Sequence, residues 1–414
     1  MRKLRFKGFS EKWQEFELGN IGETFTGLSG KTKEDFGYGN ARYIPYLNIF
    51  NNSFVDIENL EKIEIDNSQN KIKYGDVFFT TSSETPEEVG MSSVWLYNLD
   101  NVYLNSFCFG YRLKVDIDFK FLSYSLRSKS FRQQMIKLAQ GISRFNISPR
   151  KTMELSIKLP SLKEQEKIGE LFKNLDESIN KTELKISKLK QSKKALLDKL
   201  FTKTYEIHPQ LRFKTFSEKW QEFELGNIGE LKTSSVDKII VKGEKIVKLL
   251  NYMDVYKNSY ITNNFNFAIT SATENELKSF DLKYGDILFT PSSETPDDIA
   301  HSSVILENLN NVLYSYHLMR LRPKINLNNT FAGQVFKHNN FLQQCYNLAQ
   351  GNTRFTLSIS KFSCIKVKLP SLKEQEKIGE LFKALDESIN LYEKKLSKLK
   401  QIKLALLEKI FKGE

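Results

Sequence analysis

The chain writes long stretches of itself twice, and this constrains its fold more than any other feature. Leu4 to Glu23 reads LRFKGFSEKWQEFELGNIGE and Leu211 to Glu230 reads LRFKTFSEKWQEFELGNIGE, so only Gly8 and Thr215 differ. Lys158 to Asn180 (KLPSLKEQEKIGELFKNLDESIN) returns as Lys368 to Asn390 and differs only at Asn174 and Ala384. The offsets are 207 and 210 residues, so three residues were gained in between. Such a period is far too long for a solenoid repeat and fits a duplicated domain with its connector. Near-constant frames around two divergent inserts suggest one scaffold carrying two different readers.

A chain of 414 residues can hold two or three domains with real cores. Lys and Arg outnumber Asp and Glu by 62 to 50, a formal charge of +12. That excess favours a polyanionic partner, nucleic acid before an anionic membrane. Cys108, Cys345 and Cys364 are widely spaced and form no CxxC pair, which indicates neither a zinc site nor a disulfide framework. The first residues, MRKLRFKGFSEKW, lack the apolar core of a signal peptide. No apolar run reaches the roughly 18–20 residues of a membrane span. The expectation is a cytoplasmic protein with no membrane partner.

Each half opens with the aromatic-rich block. Trp13, Phe16 and Leu18, and again Trp220, Phe223 and Leu225, alternate with polar residues as in a short half-buried strand or docking arm. A mixed region follows, Thr24 to Ile157 and Leu231 to Val367. It has strand-like runs at Asp76–Thr80 and Ser93–Tyr97, a helical stretch at Phe119 to Ala139, and Gly, Asn and Ser punctuation. Each region reads as an α+β globular domain. Each half closes with a long helix whose start carries a predicted capping box, Ser161 with Glu164 after Pro160 and Ser371 with Glu374 after Pro370.

Along the first helix Ile168, Leu171, Leu175, Ile179, Ile186, Leu189, Leu196 and Leu200 form an apolar stripe, with a stutter expected at 175 to 179. Along the second the stripe is Ile378, Leu381, Leu385, Ile389, Leu396, Leu399, Leu406 and Ile410. Each stripe could pack on its own domain. The reading preferred here pairs the two helices as an antiparallel coiled coil, roughly 55–60 Å long, with one globular domain at each end and a pseudo-twofold axis between them. The expected segments are 1–157 and 204–367 as globular domains with their arms, and 158–203 and 368–414 as spacer helices.

Catalytic constellations do not emerge. Gly30-Lys31-Thr32 resembles the end of a phosphate-binding loop, but Phe25 stands where that motif needs glycine. Pro296-Asp297 followed by Glu307 lacks the lysine of a nuclease carboxylate set, since Leu309 occupies its place. His208, His301, His317 and His338 are scattered without ligand spacing. No Asn-Pro-Pro-Tyr or Asp-Pro-Pro-Tyr string of an adenine methyltransferase is present. The competing classes are a self-contained restriction or methyltransferase enzyme, which these absences disfavour, and a structural coiled-coil adaptor.

Two variable domains, each closed by Leu-Pro-x-Leu-x-Glu-Gln opening a long helix, resemble the specificity (S) subunit of Type I restriction–modification systems. Here the motif is Leu159 to Gln165 and Leu369 to Gln375. Ala139-Gln140-Gly141-Ile142-Ser143-Arg144 and Ala349-Gln350-Gly351-Asn352-Thr353-Arg354 also look like the family's pattern. The resemblance covers essentially the whole chain. It implies a non-catalytic subunit in which each variable region reads one half of a split, asymmetric site in double-stranded DNA. The helices then form the spacer and the docking surface for two methyltransferase (M) subunits, and motor–nuclease (R) subunits join to restrict. S-adenosylmethionine, ATP and Mg2+ belong to those partners, and no cofactor to this chain.

One segment stays similar between the variable regions: Lys73 to Pro86 matches Lys283 to Pro296. A strand ending in a Thr/Ser/Glu loop can offer hydroxyls to phosphates and a carboxylate to cytosine. The candidates are Thr80, Thr81, Ser82, Ser83 and Glu84, with Thr290, Ser292, Ser293 and Glu294. Their hydroxyls could equally bond local backbone. Ser143 with Arg144 and Thr353 with Arg354 suit phosphate clamping or guanine readout. Base choice is expected in the divergent stretches Tyr38 to Asn52, which includes Arg42, and Asn251 to Asn266, both rich in Asn and Tyr.

Overall fold

The computed structural model describes residues 4–203 and 206–412. The chain divides into two units, Met1–Glu183 with Lys394–Glu414, and Leu184–Glu393. The domain boundary expected at residue 204 lies outside the described residues. Both unit boundaries fall inside the long helices, so each unit holds the start of one helix and the end of the other.

Both units have the same mixed helix-and-sheet plan. In the first, a four-stranded antiparallel sheet runs in the order Gly22–Thr26, Cys108–Leu113, Val77–Thr80, Ser92–Val94. A three-stranded sheet places Phe36–Ile44 between Glu61–Ile63 and Val102–Leu104. In the second, the larger sheet runs Gly229–Thr233, Met319–Pro323, Ile287–Phe289, Ser302–Ile305, Tyr260–Ile261. The smaller places Lys245–Leu250 between Ala268–Ala272 and Val312–Tyr314. The helical stretch expected at 119–139 is two helices, Phe119–Leu126 and Lys129–Lys137, because the Ser128 side chain caps the second by accepting from Phe131 N.

The repeated arm is a strand. Gln14–Glu17 pairs antiparallel with Ser156–Leu159, the segment leading into the first long helix, and Gln221–Glu224 pairs likewise with Lys366–Leu369. Ahead of the strand Arg5 reaches Glu164, donating from Nε to Oε1 at 2.9 Å and from Nη2 to Oε2 at 2.5 Å. Arg212 grips Glu374 in the same way, at 2.8 and 2.7 Å. Both carboxylates are buried, and a two-point arginine contact satisfies them. This corrects the expected capping box: the arginine of the arm takes the glutamate. The neighbouring Gln165 donates to Pro160 O at 2.9 Å and accepts from Asp118 N at 3.1 Å. Gln375 does the same with Pro370 and Asn328. Each side chain of the Glu-Gln pair thus ties the helix start to a different part of its own unit. Gly169 allows the close approach, since a Cβ there would meet Asp118 Oδ1 at 2.4 Å.

The long helices run Leu162–Leu200 and Leu372–Ile410, 39 residues each. The first buried stripe differs from the expected one at three positions: Phe172 replaces Leu171, and Thr182 and Lys193 join it. The first passes through Phe172 and Thr182 as Ile168, Phe172, Leu175, Ile179, Thr182, Ile186, Leu189, Lys193, Leu196 and Leu200, all buried or half-buried. Steps of four and three alternate without a break, so there is no stutter, and Leu171 lies beside the stripe. The second helix repeats this through Phe382, Tyr392 and Lys403. An unbroken heptad pattern keeps one seam on a partner helix. In the first unit Asp176 pairs with Lys403 and Glu183 with Lys400. In the second Asp386 pairs with Lys193 and Glu393 with Lys190. One helix ascends as the other descends, so the coil is antiparallel in both units. Lys193 and Lys403, seated on the seam itself, fix that register through their carboxylate partners.

The helix ends also serve as core. In the first unit Ile168, Phe172, Ile410 and Phe411 pack with Trp13 and Phe121. In the second, Leu200, Phe201, Ile378 and Phe382 pack with Trp220 and Phe331. Among the described residues no helix is long and apolar enough to cross a membrane.

Candidate nucleic-acid interface

The similar Lys73–Pro86 and Lys283–Pro296 segments begin as scaffold. Asp76 is buried, accepts from Lys73 N at 2.7 Å and receives Arg112 at 2.8 and 2.6 Å. Asp286 receives Arg322 at 2.7 Å from both Nε and Nη2. Four of the proposed contact hydroxyls are committed inward. Thr80 and Thr290 are fully buried, and their Oγ1 atoms accept from Met91 N and His301 N at 3.0 and 2.9 Å. Ser83 and Ser293 donate to Thr85 O and Thr295 O. These four bond backbone of their own unit, as turn chemistry allows.

The segment then meets the glycine–arginine loop through serines that are themselves buried. Ser82–Ser83 pairs antiparallel with Phe145–Asn146, and Ser292–Ser293 with Phe355–Thr356. Arg144 Nε donates to Ser82 Oγ at 3.2 Å, and Arg354 Nη2 to Ser292 Oγ at 3.2 Å. Two candidate clusters some sixty residues apart in sequence are therefore one face in each unit. Thr81, next to Ser82, is half-buried, and its Oγ1 donates to Phe107 O at 2.8 Å. Glu84, Glu294, Ser143 and Thr353 are exposed and make no side-chain hydrogen bond among the described residues. Each arginine spends one donor on its serine, which leaves the rest of the planar fork for a phosphate or a base edge.

Two tyrosines from the Tyr38–Asn52 and Asn251–Asn266 stretches, not singled out by the sequence, also reach this face. Tyr46 OH donates to Ser82 O at 2.7 Å, and Tyr252 OH to Ser292 O at 2.8 Å. Both rings stack on an aromatic four residues on, Phe50 and Tyr256, and that i, i+4 pair was the available signal. Much of the stretch expected to be recognition loop is regular structure: Phe36–Ile44 and Tyr46–Asn51, and Tyr252–Lys257 with Tyr260–Ile261. Its asparagines are partly consumed there. Asn48 donates to Asp56 O and Asn59 O, Asn52 to Asn48 O, and Asn258 to Asp254 O. Arg42 is half-buried on its strand.

Other groups remain apart. Lys31 pairs with Asp66 at 2.7 Å, and Glu307 accepts from Asn263 N at 2.7 Å. Among the described residues no three or more His, Cys, Asp or Glu gather in a metal-holding group, and the three cysteines are free thiols.

Residues 10–191 and 217–401 each match the Type I restriction modification DNA specificity domain, so the chain belongs to the family of Type I restriction–modification specificity subunits. It is 22% identical over 420 residues to the type I restriction enzyme EcoKI specificity subunit of Escherichia coli K12, covering 98% of this chain and 89% of that one. Its fold is similar to the S subunit of a Type-I restriction–modification system from M. genitalium, with a TM-score of 0.60, 18% identity and full coverage of both chains. It is also similar, with a TM-score of 0.56 and 17% identity over 98% of this chain and 99% of the other, to a chain from work on complex assembly and conformational transition of the type I R-M system.

Proposed function

We propose that each unit reads one half of a bipartite, asymmetric site in double-stranded DNA. The carrying observation is the doubled face: Arg144 on Ser82 and Arg354 on Ser292, on matching frames, with unlike residues around them. Matching frames predict matching docking on the DNA, and unlike surroundings predict unlike half-sites. The chain itself performs no chemistry in this reading. It positions two methyltransferase subunits that use S-adenosylmethionine to methylate adenine, and motor–nuclease subunits that use ATP and Mg2+ to cleave. The similarity to a chain studied in type I complex assembly supports the partner assignment.

Mapping methyladenine across a host genome, with and without this gene, tests the proposal. An asymmetric motif with a gap should appear only when the gene is present. A continuous or palindromic motif, or methyl transfer by the purified chain alone, would contradict it.

A further inference from the structure

Within the doubled face, the two units agree in frame and disagree at one tip. Gly141 and Gly351 have φ of 145° and 143°, and a Cβ would meet the carbonyl oxygen of Arg144 at 2.0 Å or of Arg354 at 1.9 Å. Glycine is therefore required to close either loop. Backbone bonds between Gln140 and Asn146, at 3.0 and 2.9 Å, and between Gln350 and Thr356, at 3.0 and 2.8 Å, hold both loops in one shape. The tip of the first is Ile142, and the tip of the second is Asn352.

Ile142 is 98% exposed, while the next most exposed large apolar residue among those described, Leu391, is 67% exposed. An isoleucine so placed gains nothing from the fold, and a pinned loop keeps it from turning inward. The neighbouring turn differs in the same sense. The first unit carries Phe107, 58% exposed, whose carbonyl holds Thr81. The second carries His317 at the matching place, close enough to Arg354 for that charge, after burial, to lower its pKa. The first unit thus carries apolar Ile142 and Phe107 where the second carries the hydrogen-bonding Asn352 and His317.

We propose that Ile142 and Asn352 are the specificity-determining tips of the two faces, with Ile142 seated against a thymine methyl group and Asn352 bonded to the edge of an adenine. This rests on the reading that the arginine–serine faces touch DNA. Phosphate contacts fix register and carry no sequence, so the shared arginines can anchor both units alike. The base choice must then come from residues that differ on a common frame. Thymine offers the only methyl group in the major groove, and adenine offers an asparagine a matched donor and acceptor. The closed loops hold the tips ready, so little ordering cost is added on binding.

The test uses the full chain assembled with its methyltransferase subunits, and measures methylation of a library randomised at both half-sites. Ile142→Asn should move one position of one half-site from thymine toward adenine, by roughly 5- to 150-fold, and leave the other half unchanged. Asn352→Ile should do the reverse in the other half. Both tips are exposed, so the variants should fold, and unchanged thermal unfolding checks this. If both variants keep the wild-type preference at every position while Arg144→Ala and Arg354→Ala weaken binding, the tip assignment fails alone. If the arginine variants bind as wild type does, the DNA-face reading itself fails.

Discussion

Removing Arg5 tests whether the repeated arm pins the long helix. Arg5→Ala leaves the Glu164 carboxylate, with a side chain only 1% exposed, without the two donors that satisfy it. Taking one partner from a buried pair costs about 3–5 kcal/mol, whereas replacing both with apolar groups is often near neutral. The Arg5 side chain is 19% exposed, so water enters partly and the lower end, about 3 kcal/mol, is expected. Arg5→Met with Glu164→Leu should recover at least half of that. Because both long helices continue from one unit into the other, a single unfolding midpoint would mix the two. Amide hydrogen exchange separates them: Gln14–Glu17 and Ser156–Leu159 report the first unit, and Gln221–Glu224 and Lys366–Leu369 the second. Protection should fall in the first pair only, and Arg212→Ala should reverse the pattern. A loss below about 1 kcal/mol, as for an exposed pair, or a double variant no better than the single, would refute the pin.

Arg144→Ala should weaken use of one half-site and Arg354→Ala the other. Titration at several salt concentrations should show a salt slope lower by about one for a phosphate contact, or one relaxed base position for guanine readout. Burial pushes the His338 imidazole below its usual pKa, so the unfolded chain takes up the proton first and stability falls as pH drops below about 6.5. Exchange protection in the second unit should fall between pH 7.5 and 5, and less so in His338→Ser, which copies Ser128 of the first unit; equal slopes would dismiss the histidine. Deleting 183–189 together with 394–400 keeps the Asp176–Lys403 and Lys193–Asp386 pairs and shortens each helix by about 10 Å, or roughly three base pairs. The half-sites should persist with a shorter gap in the methylation map, and methylation at the original spacing with normal efficiency would show that helix length is no ruler.

The duplication made the frame legible because the two near-identical blocks are partners of each other. Arg5 lies in one block and Glu164 in the other, and Gln14–Glu17 pairs with residues leading into the second block. A change in either block must be matched across that contact, which gives a physical reason for both to stay alike in both copies. The seam was nearly legible: a leucine-based reading chose Leu171 over Phe172 and passed over Thr182 and Lys193, because a threonine and a lysine do not register as apolar. Their stripe positions follow only from the heptad. The candidate face was half legible. Its hydroxyls and arginines could be named, but sequence alone could not separate Thr80, which holds Met91 N inside the sheet, from Ser82, which meets Arg144 across a two-residue strand pair. That distinction depends on which way each side chain leaves the strand. Successive residues point to opposite faces, so an inward Thr80 and a Ser82 turned toward the arginine need a change in the chain's course between them. Thr81 marks that change, where its backbone and hydroxyl both turn to Phe107 O. Local sequence cannot supply that turn, because it is set by the pairing of Ser82–Ser83 with Phe145–Asn146, a segment distant in sequence.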